Sequence, residues 1–232
     1  MGGECLRQRG ATQGERDPAD RPPEGGGLAW ASRRSDRARA YDMVRAMQIR
    51  PVTPQDLDAV QEIDGTVESS QYLHLERTGE GFAASWRLEE RAARQKLIEA
   101  NRLGDDATFT LRQIVTGADE GTALMVEIDD APAALIVARP DPEAGTLRIL
   151  DLRVDYDFRR QGLGTALVYQ VIQQARDGGV RAIAAETLTN NLPAGGLLAK
   201  CGFELSGVDT RRRTNHDLVK EAVTLFWYAA LD

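Results

Sequence analysis

Six consecutive residues, Arg159-Arg160-Gln161-Gly162-Leu163-Gly164, carry the sharpest chemical signal in this 232-residue chain. They precede a helical pattern in which Leu163, Leu167 and Val171 fall on one line, with Val168, Ile172 and Ala175 beside it. A helix start presents unpaired backbone N–H groups and a partial positive charge, so it suits an anion. Glycine has no Cβ and lets a phosphate come close to the backbone. Arg159 and Arg160 can add charge. Leu167 occupies the third glycine position of a dinucleotide fingerprint, and no Gly-Lys-Ser/Thr follows, which argues against a Rossmann site and a P-loop. The alternative is a turn that needs glycine for its geometry alone.

Other residues with chemical potential read more plainly. Cys5 and Cys201 form neither a disulfide framework nor a zinc cluster, and no metal site is expected. Cys201, with no adjacent histidine, reads as a small buried hydrophobe. His74 and His216 stand isolated and read as surface or structural residues. The Arg211-Arg212-Arg213 run reads as a solvated loop.

The elements that must position the glycine turn follow from periodicity. Thr146–Val154 reads as a strand whose apolar residues at 147, 149, 150, 152 and 154 alternate with one slip, the mark of a bulge. Gly178-Gly179 closes the helix after the turn. Upstream, residues 123–128 and 133–138 flank a turn at Asp129-Asp130-Ala131-Pro132 and predict a hairpin. Gln48–Val52 reads as a short strand, and Thr53-Pro54 opens a helix with Asp56 in its first turn and Leu57, Val60 and Ile63 on its buried face. Residues 66–105 predict a second, heavily charged helical region, clearest from Trp86 to Ala100.

Residues 1–46 differ from the rest. They hold the Gly25-Gly26-Gly27 run, Pro22-Pro23 and many arginines but no lysine, and predict a disordered or artefactual extension. A start of translation at Met43 or Met47 is a second reading. The folded part is expected over 47–232. An apolar fraction of 42% supports a core, and a net charge of -7 argues against nucleic acid and suits a cationic substrate. No apolar stretch approaches the roughly 18 residues of a membrane span, and no signal-peptide core is visible, so no membrane partner and a cytoplasmic address are expected.

The segment from Leu150-Asp151-Leu152-Arg153-Val154 through Leu167 resembles motif A of the GNAT N-acetyltransferases, with Arg159, Gly162 and Gly164 at the motif positions. Glu186-Thr187-Leu188-Thr189-Asn190-Asn191 and Lys200-Cys201-Gly202-Phe203 resemble motif B. Together with Gly207–Thr210 and Val223–Tyr228 they resemble the streptothricin acetyltransferases. The resemblance implies an α/β GNAT fold, a mixed, mostly antiparallel twisted sheet with helices on both faces. It implies acetyl-CoA as cosubstrate, a small-molecule amine as acceptor, direct attack on the thioester, and leaves a homodimer open. It places the pantetheine arm along Leu152, Arg153 and Val154. The pyrophosphate falls at Arg159, Arg160, Gln161, Gly162, Leu163, Gly164 and Thr165, and Asn191 belongs to the cofactor side. Asp151 and Glu186 flank the expected opening as candidate bases.

One position departs from the family. The tyrosine that commonly follows the motif B asparagine by seven residues, and protonates the leaving thiolate, is Leu198 here. Leucine cannot donate a proton. Water or Tyr169 are the stand-ins, and a non-catalytic acetyl-CoA-binding module is the corresponding rival. Acetylation of a protein N-terminus or lysine is a second rival. In the acetyltransferase setting the second reading of Arg211–Arg213, beside a solvated loop, is a contact to the 3′-phosphate of CoA.

Overall fold

The computed structural model describes residues 47–231; the expectations for residues 1–46 lie outside them. A seven-stranded sheet has the order β1-β4-β5-β6-β7-β9-β8. Its strands are β1 (Gln48–Pro51), β4 (Thr122–Ile128), β5 (Ala131–Asp141), β6 (Thr146–Val154), β7 (Ala182–Leu188), β8 (Glu204–Asp209) and β9 (Thr224–Ala230). Every pairing is antiparallel except β6–β7, which is parallel and joined through helix α3 (Leu163–Asp177). The mixed, mostly antiparallel sheet is the expected one.

Two apolar clusters show which helices cover which face. On one face α3 buries Leu163, Leu167, Val168, Val171, Ile172 and Ala175, and helix α4 (Leu192–Lys200) adds Leu198. On the other face the short helix α1 (Leu57–Gln61) and helix α2 (Asp105–Val115) cover Met125, Leu135 and Val137 with Leu57, Val60 and Leu111. The alternation of β4 and β5, buried on both sides, divides their residues between the two clusters. The hairpin turn is tighter than its sequence suggested: Asp129 and Asp130 alone carry positive φ, 51° and 62°, as a two-residue turn requires.

The helical reading of residues 66–105 is wrong. These residues form a long hairpin, β2 (Val67–Thr78) and β3 (Ser85–Glu99), as a separate two-stranded sheet. Glu, Ala, Arg, Gln and Lys give residues 89–96 high helix propensity, but propensity is a weak force beside cross-strand pairing and packing. Leu75 faces Leu88 across the ladder, Leu75 is buried, and Leu73 and Leu88 pack against the α3–α4 cluster. The turn is set by Gly79 at φ 76°, where a Cβ would stand 2.4 Å from the Ala83 carbonyl oxygen. That glycine signal lay within the predicted helix. Three extra residues of β3 between Ala92 and Leu97 are accommodated by an irregularity opposite Ser69–Gln71.

The entry to α1 carries an ionic knot. Asp56 accepts from the Thr53 backbone N–H at 2.8 Å and from Arg50 at 2.7 and 2.8 Å, while Arg50 also donates to Glu127. This ties β1, the helix start and β4 together. The Arg50 guanidinium, with Thr53, holds the Asp56 carboxyl well below the usual carboxylate range. A depressed folded pKa stabilises above the unfolded value of about 3.9 and loses that contribution as pH falls below it. Urea unfolding between pH 7 and pH 2 should therefore show a loss of stability below about pH 4 that is shallower in Asp56→Asn. Parallel pH profiles for the two proteins would remove this role.

Candidate functional site

The site begins where two strands part. β6 and β7 pair only from Thr146–Arg148 to Ala182–Ala184. Beyond that point β6 stays on β5 and β7 stays on β9, so the sheet forks. The predicted slip in β6 lies at this fork: Ile149 faces Ala138 and Asp151 faces Val137, which leaves Leu150 as the bulged residue. The bulge changes the facing of everything after it. Leu147 and Ile149 before it, and Leu152 and Val154 after it, all pack toward the α3 cluster. Without the extra residue, Asp151 and Arg153 would have entered that apolar cluster instead. They turn to the α1–α2 face.

Backbone orientation along the fork follows from the same ladder. Asp155 N–H donates to Ala133 C=O at 2.9 Å, so Arg153 and Asp151 spend their main-chain groups on β5. Leu152 and Val154 point theirs into the opening. An extended ligand can add there as a strand would. The Val154 carbonyl already accepts from Arg159 Nε at 3.2 Å.

The glycine turn sits at the wide end of the fork. Gly162 is left-handed, φ 88° and ψ 1°, and is the residue before the first turn of α3; Arg160 also has positive φ, 63°. The first helical bond runs from Ala166 N–H to Gly162 C=O at 3.0 Å. The N–H groups of Leu163, Gly164 and Thr165 therefore have no acceptor inside the helix, an arrangement that can cradle an anion. A Cβ on Gly162 would meet nothing within 4 Å, so the space above the turn is open. Gly164 is different: a Cβ there would stand 3.1 Å from Leu197 and 3.4 Å from Val154, so this glycine lets α3, α4 and β6 close together. Arg160 and Gln161 are exposed beside the cradle. The Arg159 guanidinium turns back from it, lying 5.2 Å over the Tyr156 ring and bonding the Asp64 carbonyl.

Both candidate bases reach the α1–α2 side of the fork, and each is held by arginine. Asp151 binds Arg153 through both oxygens, at 2.7 and 2.6 Å. The Arg153 side chain is 1% exposed and also donates to Asn101 C=O, anchoring the segment between β3 and α2. Glu186 is engaged by Arg148, the last β6 residue paired to β7, and by Arg212 at 3.1 Å. Arg212 lies 6.0 Å over the Phe226 ring, so the middle of the arginine run serves this acidic side chain. A cavity opens beside the bulge, lined by Asp106, Ala107 and Thr110 of α2 and by Val137, Leu150 and Asp151 of the sheet. The three α2 residues went unseen in the sequence because the helix itself did. Its acidic first turn, Asp105-Asp106 after Gly104, was the available signal.

Asn191 caps α4, its Oδ1 accepting from Ala194 N–H at 3.2 Å. Leu198 is buried in the α3–α4 core and Tyr169 stands 49% exposed on α3. Burial pushes the Cys201 thiol up, which keeps it protonated and inert, as expected. His74, isolated in sequence, has a structural contact: its Nδ1 lies 3.1 Å from Glu221, 147 residues away, which no local pattern encodes. The hairpin is fixed there and by Leu73 N–H donating to Thr189 C=O at 2.9 Å. Among the described residues no cluster of metal ligands occurs, and no helix is long and apolar enough to cross a membrane.

Comparison with known proteins agrees with this architecture. Residues 77–203, more than half of the chain, match the Acetyltransferase (GNAT) family. Over 84 residues the chain is 33% identical to streptothricin acetyltransferase A of Bacillus subtilis (strain 168), which is 36% of this chain and 48% of that protein. The match therefore spans about half the length of that relative. Over 165 residues it is 27% identical to the streptothricin acetyltransferase of Streptomyces lavendulae, covering 70% of this chain and 84% of that protein. A nourseothricin acetyltransferase structure superposes with a TM-score of 0.65 at 23% identity, over 81% of this chain and 99% of its own. The structure of a Bacillus anthracis str. Ames acetyltransferase in complex with acetyl coenzyme A gives 0.64 at 22%, over 80% and 98%. The forked sheet, the glycine cradle at its wide end and the match across residues 77–203 place this chain in the acetyltransferase (GNAT) family.

Proposed function

We propose that this chain transfers the acetyl group of acetyl-CoA to a primary amine of a small cationic molecule, a streptothricin-like antibiotic being one candidate. The observation that carries the reading is the fork between β6 and β7, with a free anion cradle at one end and an acidic cavity at its vertex. Acetyl-CoA fits the residues present. Its pyrophosphate suits the N–H groups of Leu163, Gly164 and Thr165, with Arg160 and Gln161 beside them, and its amide-bearing arm suits the main chain of Leu152 and Val154. Bound there, it supplies an activated acyl group.

In the transfer the amine lone pair forms the C–N bond, the C–S bond breaks, and its electron pair leaves on sulfur. One N–H proton must go to a base. We assign that proton to Glu186, through water, because its partners Arg148 and Arg212 are themselves partly exposed and can shift. Asp151 has the weaker claim, since its buried partner Arg153 cannot swing away. With Leu198 in the core, the leaving sulfur takes its proton from solvent; a thiol with a pKa of about 8.5 leaves without a dedicated acid. Holding the two reactants in line at the fork supplies much of the rate.

Thiol release from acetyl-CoA, followed against streptothricin, polyamines, aminoglycosides and peptides, tests the reading. Turnover of at least one small cationic amine is expected. Turnover of peptides alone would point to protein acetylation, and acetyl-CoA binding without any turnover would point to a binding module.

A further inference from the structure

The cavity at the fork says more about the acceptor than that it is an amine. It is walled by the first two turns of α2 and by the bulge of β6, and Leu150 and Asp151 are its sheet residues next to the vertex. Its polar groups accept and do not donate. Asp106 is a carboxylate on the exposed side of α2. Thr110 spends its hydroxyl proton on the Asp106 carbonyl at 3.0 Å, which leaves the oxygen lone pairs facing outward. Asp151 is neutralised by Arg153, so the pair adds acceptors to the wall but no net charge. The remaining lining, Ala107, Val137 and Leu150, is aliphatic.

Such a wall fits one ammonium group on an aliphatic stem. It does not fit the amine that reacts. A carboxylate next to an amine favours the charged form, and a charged amine has no lone pair to attack with. The cation in the cavity and the nucleophile at the fork must then be two different nitrogens of one molecule.

We infer, building on the acetyltransferase reading, that the acceptor is a diamine or an equivalent dication, and that Asp106 selects it by holding its non-reacting ammonium. Ala107, Val137 and Leu150 line the spacer, and the free end reaches the thioester as a neutral amine. Asp106 is thus a specificity-determining residue that contributes nothing to the chemical step itself.

The test compares linear α,ω-diamines with monoamines of the same chain length, by thiol release from acetyl-CoA at constant pH. A charge-assisted hydrogen bond corresponds to about ten- to hundredfold in affinity, so diamines should exceed monoamines in kcat/KM by at least about tenfold, mainly through KM. In Asp106→Asn that ratio should fall to near one. In Ala107→Phe, which fills the cavity, diamine turnover should fall while calorimetry still shows acetyl-CoA binding, so a folding failure is told apart. Equal use of monoamines and diamines by the wild-type protein, or an unchanged ratio in Asp106→Asn, would overturn the inference and leave the acetyltransferase reading standing. Acetyl-CoA binding with no turnover of any amine would overturn both.

Discussion

Gly162→Val should weaken acetyl-CoA binding by at least about a hundredfold while costing the fold only about 1–3 kcal/mol. The residue sits at φ 88° in open space, where an added Cβ meets nothing within 4 Å. The strain is in the backbone: a left-handed conformation is costly for any residue with a Cβ and worst for a β-branched one. The turn relieves it by rotating out of that region, and the N–H groups of Leu163, Gly164 and Thr165 then no longer converge. Isothermal calorimetry with acetyl-CoA reads the loss, and a thermal melt should drop by only about 2–4 °C per kcal/mol for a domain of this size. Affinity equal to the wild type would take the pyrophosphate away from this turn. Gly164 would be a poorer test, because its side chain would press on Leu197 and Val154 and disturb the packing of α3, α4 and β6 together with binding.

The contrast between these two glycines shows what the sequence could and could not convey. That a glycine-bearing turn links a strand to a helix was legible from residue order and from the Leu163, Leu167 and Val171 line. Which glycine serves backbone geometry and which serves close packing was not, because Leu197 and Val154 reach Gly164 from other parts of the chain. β6 was legible down to its bulge, since a slip in a two-residue period shows in the order of apolar residues. The β2–β3 hairpin was not. Its charged, helix-prone residues are held extended by contacts at Leu73, Leu75 and Leu88 and by the link from Leu73 to Thr189, all long-range. The same limit applied to the carboxylates. Asp151 and Glu186 are legible as acidic residues on the two strands that part at the fork, but their arginine partners are not. Arg153 lies only two residues from Asp151, yet nothing in the local pattern marks its side chain as the partner of that carboxylate.

That partnership sets the second large effect. Arg153→Met should destabilise the protein by about 3–5 kcal/mol, because it leaves the Asp151 carboxylate beside the aliphatic wall of the cavity without its counter-ion. The guanidinium is 1% exposed and donates to Asp151 twice and to the Asn101 carbonyl once, so methionine replaces the volume and none of the bonds. The double variant Arg153→Met/Asp151→Leu should recover much of the loss, since a buried ion pair replaced by apolar residues of similar size is often neutral or better. Denaturant unfolding of the wild type, both single variants and the double completes the cycle. A double variant no more stable than Arg153→Met would mean that the bond to Asn101, and not the ion pair, carries the stability. The cycle also bears on catalysis. If Asp151 exists chiefly to accompany Arg153, an Asp151→Asn enzyme should keep the pH dependence of the wild type, whereas Glu186→Gln should alter it. Loss of the pH dependence in Asp151→Asn would return Asp151 to the role of base, with Arg153 as the group that tunes it.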